Sequence, residues 1–366
     1  MLSCGILSAE YYTYSKIAST LHAWQDTFGI NPHPSNDYDG FGIIYALKTI
    51  GYSSQDSLPI YAVKLSANVQ ERESEPRVLI LGQCHAEEIY GIEISMEIIE
   101  CYLNPETCYK YTNIREYYIN VLKTSLEKVE LWIVPTHNPE GLQVVHGYCD
   151  DGNSVTITDC NINNGNWIED PTYRKNIRDE NNNSMFFENI DWKYGVGNDE
   201  DGVDLNRNYD INWIFGDELL KEGNSCNLPS YDDDYDYYRG SAPFSELEIQ
   251  GIRDLAIDKK FLLSIAYHSS RSGCVAEKVI FPWGWRKDSD EPESFRKKSP
   301  DYSVISHLGN KIHEMLEFPS ADGAVPQGNR TGNAHDWLYR ETGCIQYLIE
   351  VGEFNYDQGK IARAHV

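Results

Sequence analysis

The chain has 366 residues, is 41% hydrophobic, and carries 57 Asp and Glu against 31 Lys and Arg, for a formal net charge of −26. That balance speaks against a nucleic-acid partner, whose phosphates need clustered Lys and Arg, and no apolar run approaches the roughly 20 residues of a membrane-spanning helix. The hydrophobic content is enough for a core, and the length lies somewhat above the range of one ordinary domain.

In chain order, the apolar spacing Ile17, Leu21, Trp24, Phe28 predicts a helix within 8–28. Ile43 to Ile50 is a short apolar segment ahead of a first strand pair. Val78-Leu79-Ile80-Leu81 reads as a buried strand, followed by a helix over 88–103 with apolar positions at Ile89, Ile92, Ile94, Met96, Ile98 and Ile99. A further helix is predicted over 111–127 and a strand over 129–135. Residues 149–203 are polar and rich in Asn, Asp and Gly, hence mostly loop. Phe261 to Tyr267, ended by His268-Ser269-Ser270, and Ile345 to Val351 are further strands. Alternating strands and helices place the chain in the α/β class.

The chemistry begins at Gly82-Gln83-Cys84-His85-Ala86-Glu87-Glu88, directly after the first buried strand. His85 and Glu88 stand three residues apart past a strand end, where both side chains can bend toward one point. Neutral imidazole with carboxylate suits zinc. His268, at the end of another apolar strand, completes a His2Glu set that leaves a fourth position for water, as in catalytic zinc sites. Gly202-Val203-Asp204-Leu205-Asn206-Arg207 sets an Asn-Arg pair in a polar loop. An Arg fork binds a carboxylate through two bonds, and an Asn amide adds a donor. Glu350 is a carboxylate inside the apolar strand Ile345 to Val351. A Glu in such a setting is paired or catalytic more often than not.

With these residues go four further stretches: Tyr11-Tyr12-Thr13-Tyr14, Asn138-Pro139-Glu140-Gly141, Tyr173-Arg174-Lys175-Asn176, and Tyr238-Arg239-Gly240-Ser241-Ala242-Pro243-Phe244-Ser245-Glu246. Together, and in this order, they resemble a zinc metallocarboxypeptidase of the carboxypeptidase A/T type, from about residue 8 to 357. The resemblance implies a single large α/β domain over 1–366, with long loops and a mixed central β-sheet flanked by helices. It implies one Zn2+ held by His85, Glu88 and His268, with Glu350 as the base and Arg174 stabilising the oxyanion. Asn206 and Arg207 would hold the terminal carboxylate of a peptide or protein substrate, from which single C-terminal amino acids are released. Two other functions stay open: a cell-wall peptidase acting on D- or γ-linked residues with the same zinc site, and an inactive peptide-binding protein on this scaffold.

The chain departs from that family pattern in places. The mobile Tyr expected about nine residues before Trp337 is absent, since counting back reaches Gly328 and no Tyr lies between Tyr302 and Tyr339. Glu87 replaces the Arg usual between the first two ligands, and Val351-Gly352-Glu353 follows Glu350 in place of Leu-Arg-Asp. His335 takes the position that sets the specificity pocket, with Arg330 on the same loop. Together they suit an acidic C-terminal side chain, more so at low pH.

Nine cysteines form no Cys-x-x-Cys pattern, while Cys101 with Cys108 and Cys149 with Cys160 are close enough to bridge. Cys84 reads as a buried thiol. One to three disulfides suggest an exported protein: secreted, periplasmic, or lipid-anchored through Cys4. The basic start and apolar core of a signal peptide are not seen in this chain, and the helix with which the family usually ends is expected to be missing. The Tyr231 to Tyr238 run, acidic and rich in Tyr, is either a solvated insertion or a structural Ca2+ site. A monomer is expected.

Overall fold

The computed structural model describes residues 11–71, 74–108, 115–150, 155–156, 166–168, 170–171, 173–179, 201–215, 237–270, 277–285, 292–318, 321–328, 331–355 and 360–361. Its strands are β1 (Tyr45–Tyr52), β2 (Pro59–Leu65), β3 (Arg77–Gln83), β4 (Glu130–Thr136), β5 (Tyr148–Asp150), β6 (Val155–Thr156), β7 (Asn166–Ile168), β8 (Leu263–Ser270), β9 (Lys278–Phe281), β10 (Gly284–Trp285), β11 (Lys297–Lys298), β12 (Val325–Pro326), β13 (Ile345–Asn355) and β14 (Lys360–Ile361). Its helices are α1 (Tyr14–Phe28), α2 (Tyr90–Leu103), α3 (Pro105–Cys108), α4 (Arg115–Lys128), α5 (Pro139–His146), α6 (Leu247–Lys259), α7 (Tyr302–Met315) and α8 (Ala334–Thr342).

The main sheet runs β1-β2-β4-β3-β8-β13-β9-β12, with β14 paired to the end of β13. Its centre, β4-β3-β8-β13, is parallel, and β1, β2 and β9 join antiparallel. The sheet is therefore mixed, as the resemblance implied. A strand covered on both faces reads as an unbroken apolar run, which is why β3 and β4 are so apolar. Ile80 of β3 lies in one cluster with Ile17 and Leu21 of α1, Ile92 and Met96 of α2, and Leu126 of α4. Leu79 and Leu81 face the other way, into a cluster with Ile249 and Ile252 of α6 and Trp337 and Leu338 of α8. α7 covers the β9 end through Ile305, against Phe281 and Tyr347. Among the described residues, no helix is long and apolar enough to cross a membrane.

Several boundaries differ from the sequence reading. α1 starts at Tyr14, where the Thr13 hydroxyl accepts the Lys16 N–H at 3.2 Å and so caps the helix. The Ile43 to Ile50 segment is not a prelude to the first strand pair: most of it is β1, which pairs with β2. Within 149–203, which reads as mostly loop, β6 and β7 pair with β5 in a small sheet, because a polar composition conceals short strands. His268 lies inside β8, which continues to Ser270. Cys101 and Cys108 form a disulfide, and Cys84 and Cys344 are buried thiols. Cys4, Cys160 and most of the Tyr231 to Tyr238 run lie outside the described residues.

Candidate metal centre

The centre forms past the carboxyl end of β3, where His85 and Glu88 follow the strand, and over the carboxyl halves of its parallel neighbours β8 and β13, which carry His268 and Glu350. Glu350 of β13 is register-paired with His268 of β8, and paired residues on neighbouring strands project to the same face. His85 and Glu88 lie in the turn between β3 and α2. That turn is tight because Gly82 and Gly91 meet backbone to backbone: a Cβ on Gly82 would come within 2.1 Å of the Pro135 carbonyl, and one on Gly91 within 2.6 Å of the Gly82 carbonyl. A side chain at either glycine would push the helix, and the ligands at its start, off the sheet.

His85, Glu88 and His268 are all buried, and they offer ligand atoms within 4.8 Å of one another. His85 Nδ1 lies 2.9 Å from Glu88 Oε1, His268 Nδ1 lies 2.7 Å from Glu88 Oε2, and the two Nδ1 atoms are 3.1 Å apart. A tetrahedral zinc site with bonds near 2.0–2.1 Å has ligand–ligand edges of roughly 3.3 Å, a few tenths longer than these. Three lone-pair donors turned to one buried point fit a cation there. Burial alone would raise the Glu88 pKa, but His85 and His268 hold it well below the usual carboxylate range. Glu88 is thus ionised, as a metal ligand must be.

A second layer of polar groups fixes the first. His85 Nε2 lies 3.1 Å from Asp204 Oδ1 and 2.9 Å from Arg174 Nη2. Both cannot be hydrogen bonds in one protonation state. Nδ1 given to a metal leaves Nε2 protonated, and it then donates to Asp204, the arrangement that orients ligating histidines. Arg174 Nε binds Asp204 Oδ2 at 3.0 Å, and its Nη1 stands 3.5 Å from Glu88 and 3.6 Å from Glu87. Burial would raise the Asp204 pKa, but Arg174, Arg207 and His85 hold it well below the ordinary value.

Segments far apart in the chain are tied together here. The Ala86 N–H donates to the Arg174 carbonyl at 3.0 Å. Asn138 Nδ2 donates to the Cys84 carbonyl at 3.0 Å and to that of Lys175 at 3.1 Å, so the Asn-Pro-Glu-Gly turn holds the metal loop to the Arg174 segment. Asn206 Oδ1 accepts the Ala334 N–H at 2.9 Å, which leaves its amide donors for another partner. Arg207 Nη1 donates to the Asn206 carbonyl at 2.8 Å.

The sequence pattern of the zinc carboxypeptidase family matches residues 41–361. The chain belongs to that family. Mast cell carboxypeptidase A of Rattus norvegicus is 25% identical over 283 residues, covering 76% of this chain and 48% of that protein. Carboxypeptidase B of Astacus astacus is 25% identical over 154 residues, 41% of this chain and 44% of that one. The chain thus spans about half the length of these relatives. In fold it is similar to carboxypeptidase A from Helicoverpa armigera, with a TM-score of 0.58 at 15% identity over 97% of this chain and 67% of that one. It is also similar to bovine thrombin-activatable fibrinolysis inhibitor in complex with a tick carboxypeptidase inhibitor, with a TM-score of 0.56 at 15% identity over 95% and 88%. Membership of a zinc carboxypeptidase family implies zinc, and His85, Glu88 and His268 are a donor set that suits it.

Most of the residues read from sequence fall into one network. His85, Glu88, His268 and Arg174 meet directly, and Glu350 stands beside His268. Asn206 and Arg207 join them through Asp204, whose Oδ1 accepts the Asn206 N–H at 2.9 Å. His335 is buried in α8, next to the Ala334 that bonds Asn206, with Nε2 3.0 Å from Gln327 Oε1 and 3.8 Å from Asp336 Oδ1. Arg330 lies outside the described residues. Asp204 belongs to the site as well, two positions before Asn206. Its signal was an acidic residue in the same loop as the carboxylate clamp.

Proposed function

We propose that this protein is an active zinc-dependent carboxypeptidase that hydrolyses the C-terminal peptide bond of peptides or proteins and releases single amino acids. One juxtaposition carries the reading: Glu350 is register-paired with His268 in a site that also gathers Arg174 and the Asn206-Arg207 pair. When bound by His85, Glu88 and His268, zinc supplies Lewis acidity toward the scissile carbonyl and the attacking water. Glu350 takes the proton of that water and delivers it to the leaving amine. Arg174, fixed by Asp204 in a buried site, directs its donors at the oxyanion. Asn206 and Arg207 hold the terminal carboxylate, and an internal peptide bond offers no such charge. His335 and Arg330 are our candidates for reading the C-terminal side chain, with acidic residues favoured. The Cys101–Cys108 disulfide supports an oxidising compartment, hence an exported protein.

The test is zinc analysis together with release of residues from a mixed peptide library, with and without a chelator. Stoichiometric zinc and chelator-sensitive release from free-acid peptides, but not from their C-terminal amides, are expected. Glu350→Gln should retain zinc and lose about 10²–10⁴ in kcat. Equal release from acid and amide peptides would remove the clamp from the reading, and wild-type rates in Glu350→Gln would remove the base. Release confined to D- or γ-linked peptides would make it a cell-wall peptidase.

A further inference from the structure

We propose that Tyr237 is a substrate-positioning residue that lies over the last residue of the substrate, between the arginine at the scissile carbonyl and the arginine at the terminal carboxylate. The proposal rests on the carboxypeptidase reading above. Its observation is a shared ring. The Tyr237 centroid lies 5.2 Å from Arg174 Cζ and 5.6 Å from Arg207 Cζ, both inside the roughly 6 Å reach of a cation–π contact.

The two guanidinium groups are assigned to charges one residue apart. The scissile carbonyl and the terminal carboxylate stand at the two ends of the last residue, whose span is one Cα step of about 3.8 Å. A ring that touches both arginines therefore flanks that residue and no other part of the substrate. Tyrosine suits the position: it offers a large, rigid surface with one polar tip and little rotamer entropy to lose on binding.

The backbone that carries Tyr237 is anchored on its C-terminal side to the clamp itself. The Tyr238 carbonyl accepts the Asp204 N–H at 2.8 Å. The Arg239 carbonyl accepts Asn208 Nδ2 at 2.8 Å and Trp213 Nε1 at 3.1 Å, and the Arg239 guanidinium stacks 4.3 Å from the Trp213 ring. The ring is thus presented by a segment hydrogen-bonded to the one that carries Asn206 and Arg207. It reaches the site from a different part of the chain than the 325–332 loop, which has no Tyr.

The test uses the zinc-loaded protein and two variants, Tyr237→Ala and Tyr237→Phe. Steady-state kinetics are measured on a free-acid peptide, and binding of the same peptide and its C-terminal amide is measured by calorimetry in a Glu350→Gln background. Tyr237→Ala should raise KM for the acid about tenfold with a smaller change in kcat, and should narrow the affinity gap between acid and amide. Zinc content and Tm should not change. Tyr237→Phe should stay close to wild type, because the contact is made by the ring. A Tyr237→Ala variant with unchanged KM and binding, or a Tyr237→Phe variant as impaired as Tyr237→Ala, overturns the proposal alone. Loss of zinc or Tm with equal loss of affinity for acid and amide also overturns it, in favour of a structural role. A wild-type protein that neither binds nor cleaves the acid peptide overturns the carboxypeptidase reading, and this inference with it.

Discussion

Two clusters of buried ionisable groups in this molecule meet the cost of burial in opposite ways. Around His85 the charges alternate: Glu88 faces His85 and His268, and Asp204 faces His85 and Arg174. Around Glu140 they do not. Glu140, Glu246 and Glu248 are each 0% exposed, and they are held largely by neutral donors. Asn176 Nδ2 reaches Glu246 at 2.7 Å and Glu248 at 3.2 Å, the Ser54 N–H and hydroxyl donate to Glu248, and the backbone of Gln55 and Asp56 donates to Glu140. Arg178 supplies a cation to Glu246 at 3.0 Å. Burial, then Glu248, pushes the Glu140 carboxyl up to about 8, while burial, then Glu246, pushes Glu248 up to about 7. The same burial yields an ionised carboxylate where cations converge and a protonated one where carboxylates crowd. The first state is the one a metal ligand needs. The second joins the Asn138 turn, the Asn176 segment and the start of α6, and so braces the walls of the site.

The largest effect should come from breaking the alternation at its centre. Glu88→Ala removes the anion that lies between two imidazoles and beside Arg174. Zinc should be lost, and with it several kcal/mol of transition-state stabilisation, so release should fall by at least about a thousandfold. Metal analysis by mass spectrometry together with release rates checks this. A variant that keeps stoichiometric zinc would refute Glu88 as a ligand.

A smaller effect should follow one shell out. Asp204→Asn retains an acceptor for the Asn206 N–H but removes the charge that His85 Nε2 and Arg174 face. Zinc affinity, measured by competition with a chromogenic chelator, should drop about 10- to 100-fold. Unchanged affinity would mean that His85 is oriented by packing alone.

How far this architecture could be read beforehand depended on whether a signal was local. His85 and Glu88 were legible because an apolar strand runs straight into them. Glu350 was legible because a carboxylate inside Ile345 to Val351 calls for a reason. The pairing of Glu350 with His268 is a register between strands 82 residues apart (350 minus 268), and no local pattern encodes it. Asp204 acts through a histidine 119 residues away, so its loop read only as an Asn-Arg clamp. Tyr237 was hidden by its neighbours: among Tyr231, Tyr235, Tyr237 and Tyr238, nothing singles out the ring that meets two arginines. β1 is hard to read from sequence because its apolar and polar residues alternate only loosely over Tyr45–Tyr52, with an irregular register between Thr49 and Gly51.

The smallest expected effect sharpens the comparison from the carboxylate side. A free glutamate titrates near 4.3, whereas Glu140 in the fold titrates near 8. The folded protein therefore holds a proton on Glu140 that the unfolded chain has given up at intermediate pH. The associated stability is fully present below about 4.3 and is lost as pH rises through about 8. Glu140→Gln fixes the side chain in a neutral state and keeps an oxygen for the Gln55 and Asp56 N–H groups. At fixed saturating zinc, wild type and variant should have similar Tm at pH 5, and the variant should gain on wild type by roughly a few degrees by pH 9. Parallel melting curves from pH 5 to 9 would mean that Glu140 is ionised in the fold, and that crowding of like charges does not set its state. Zinc-dependent activity should change little in either case, because Glu140 braces the site and does not enter it.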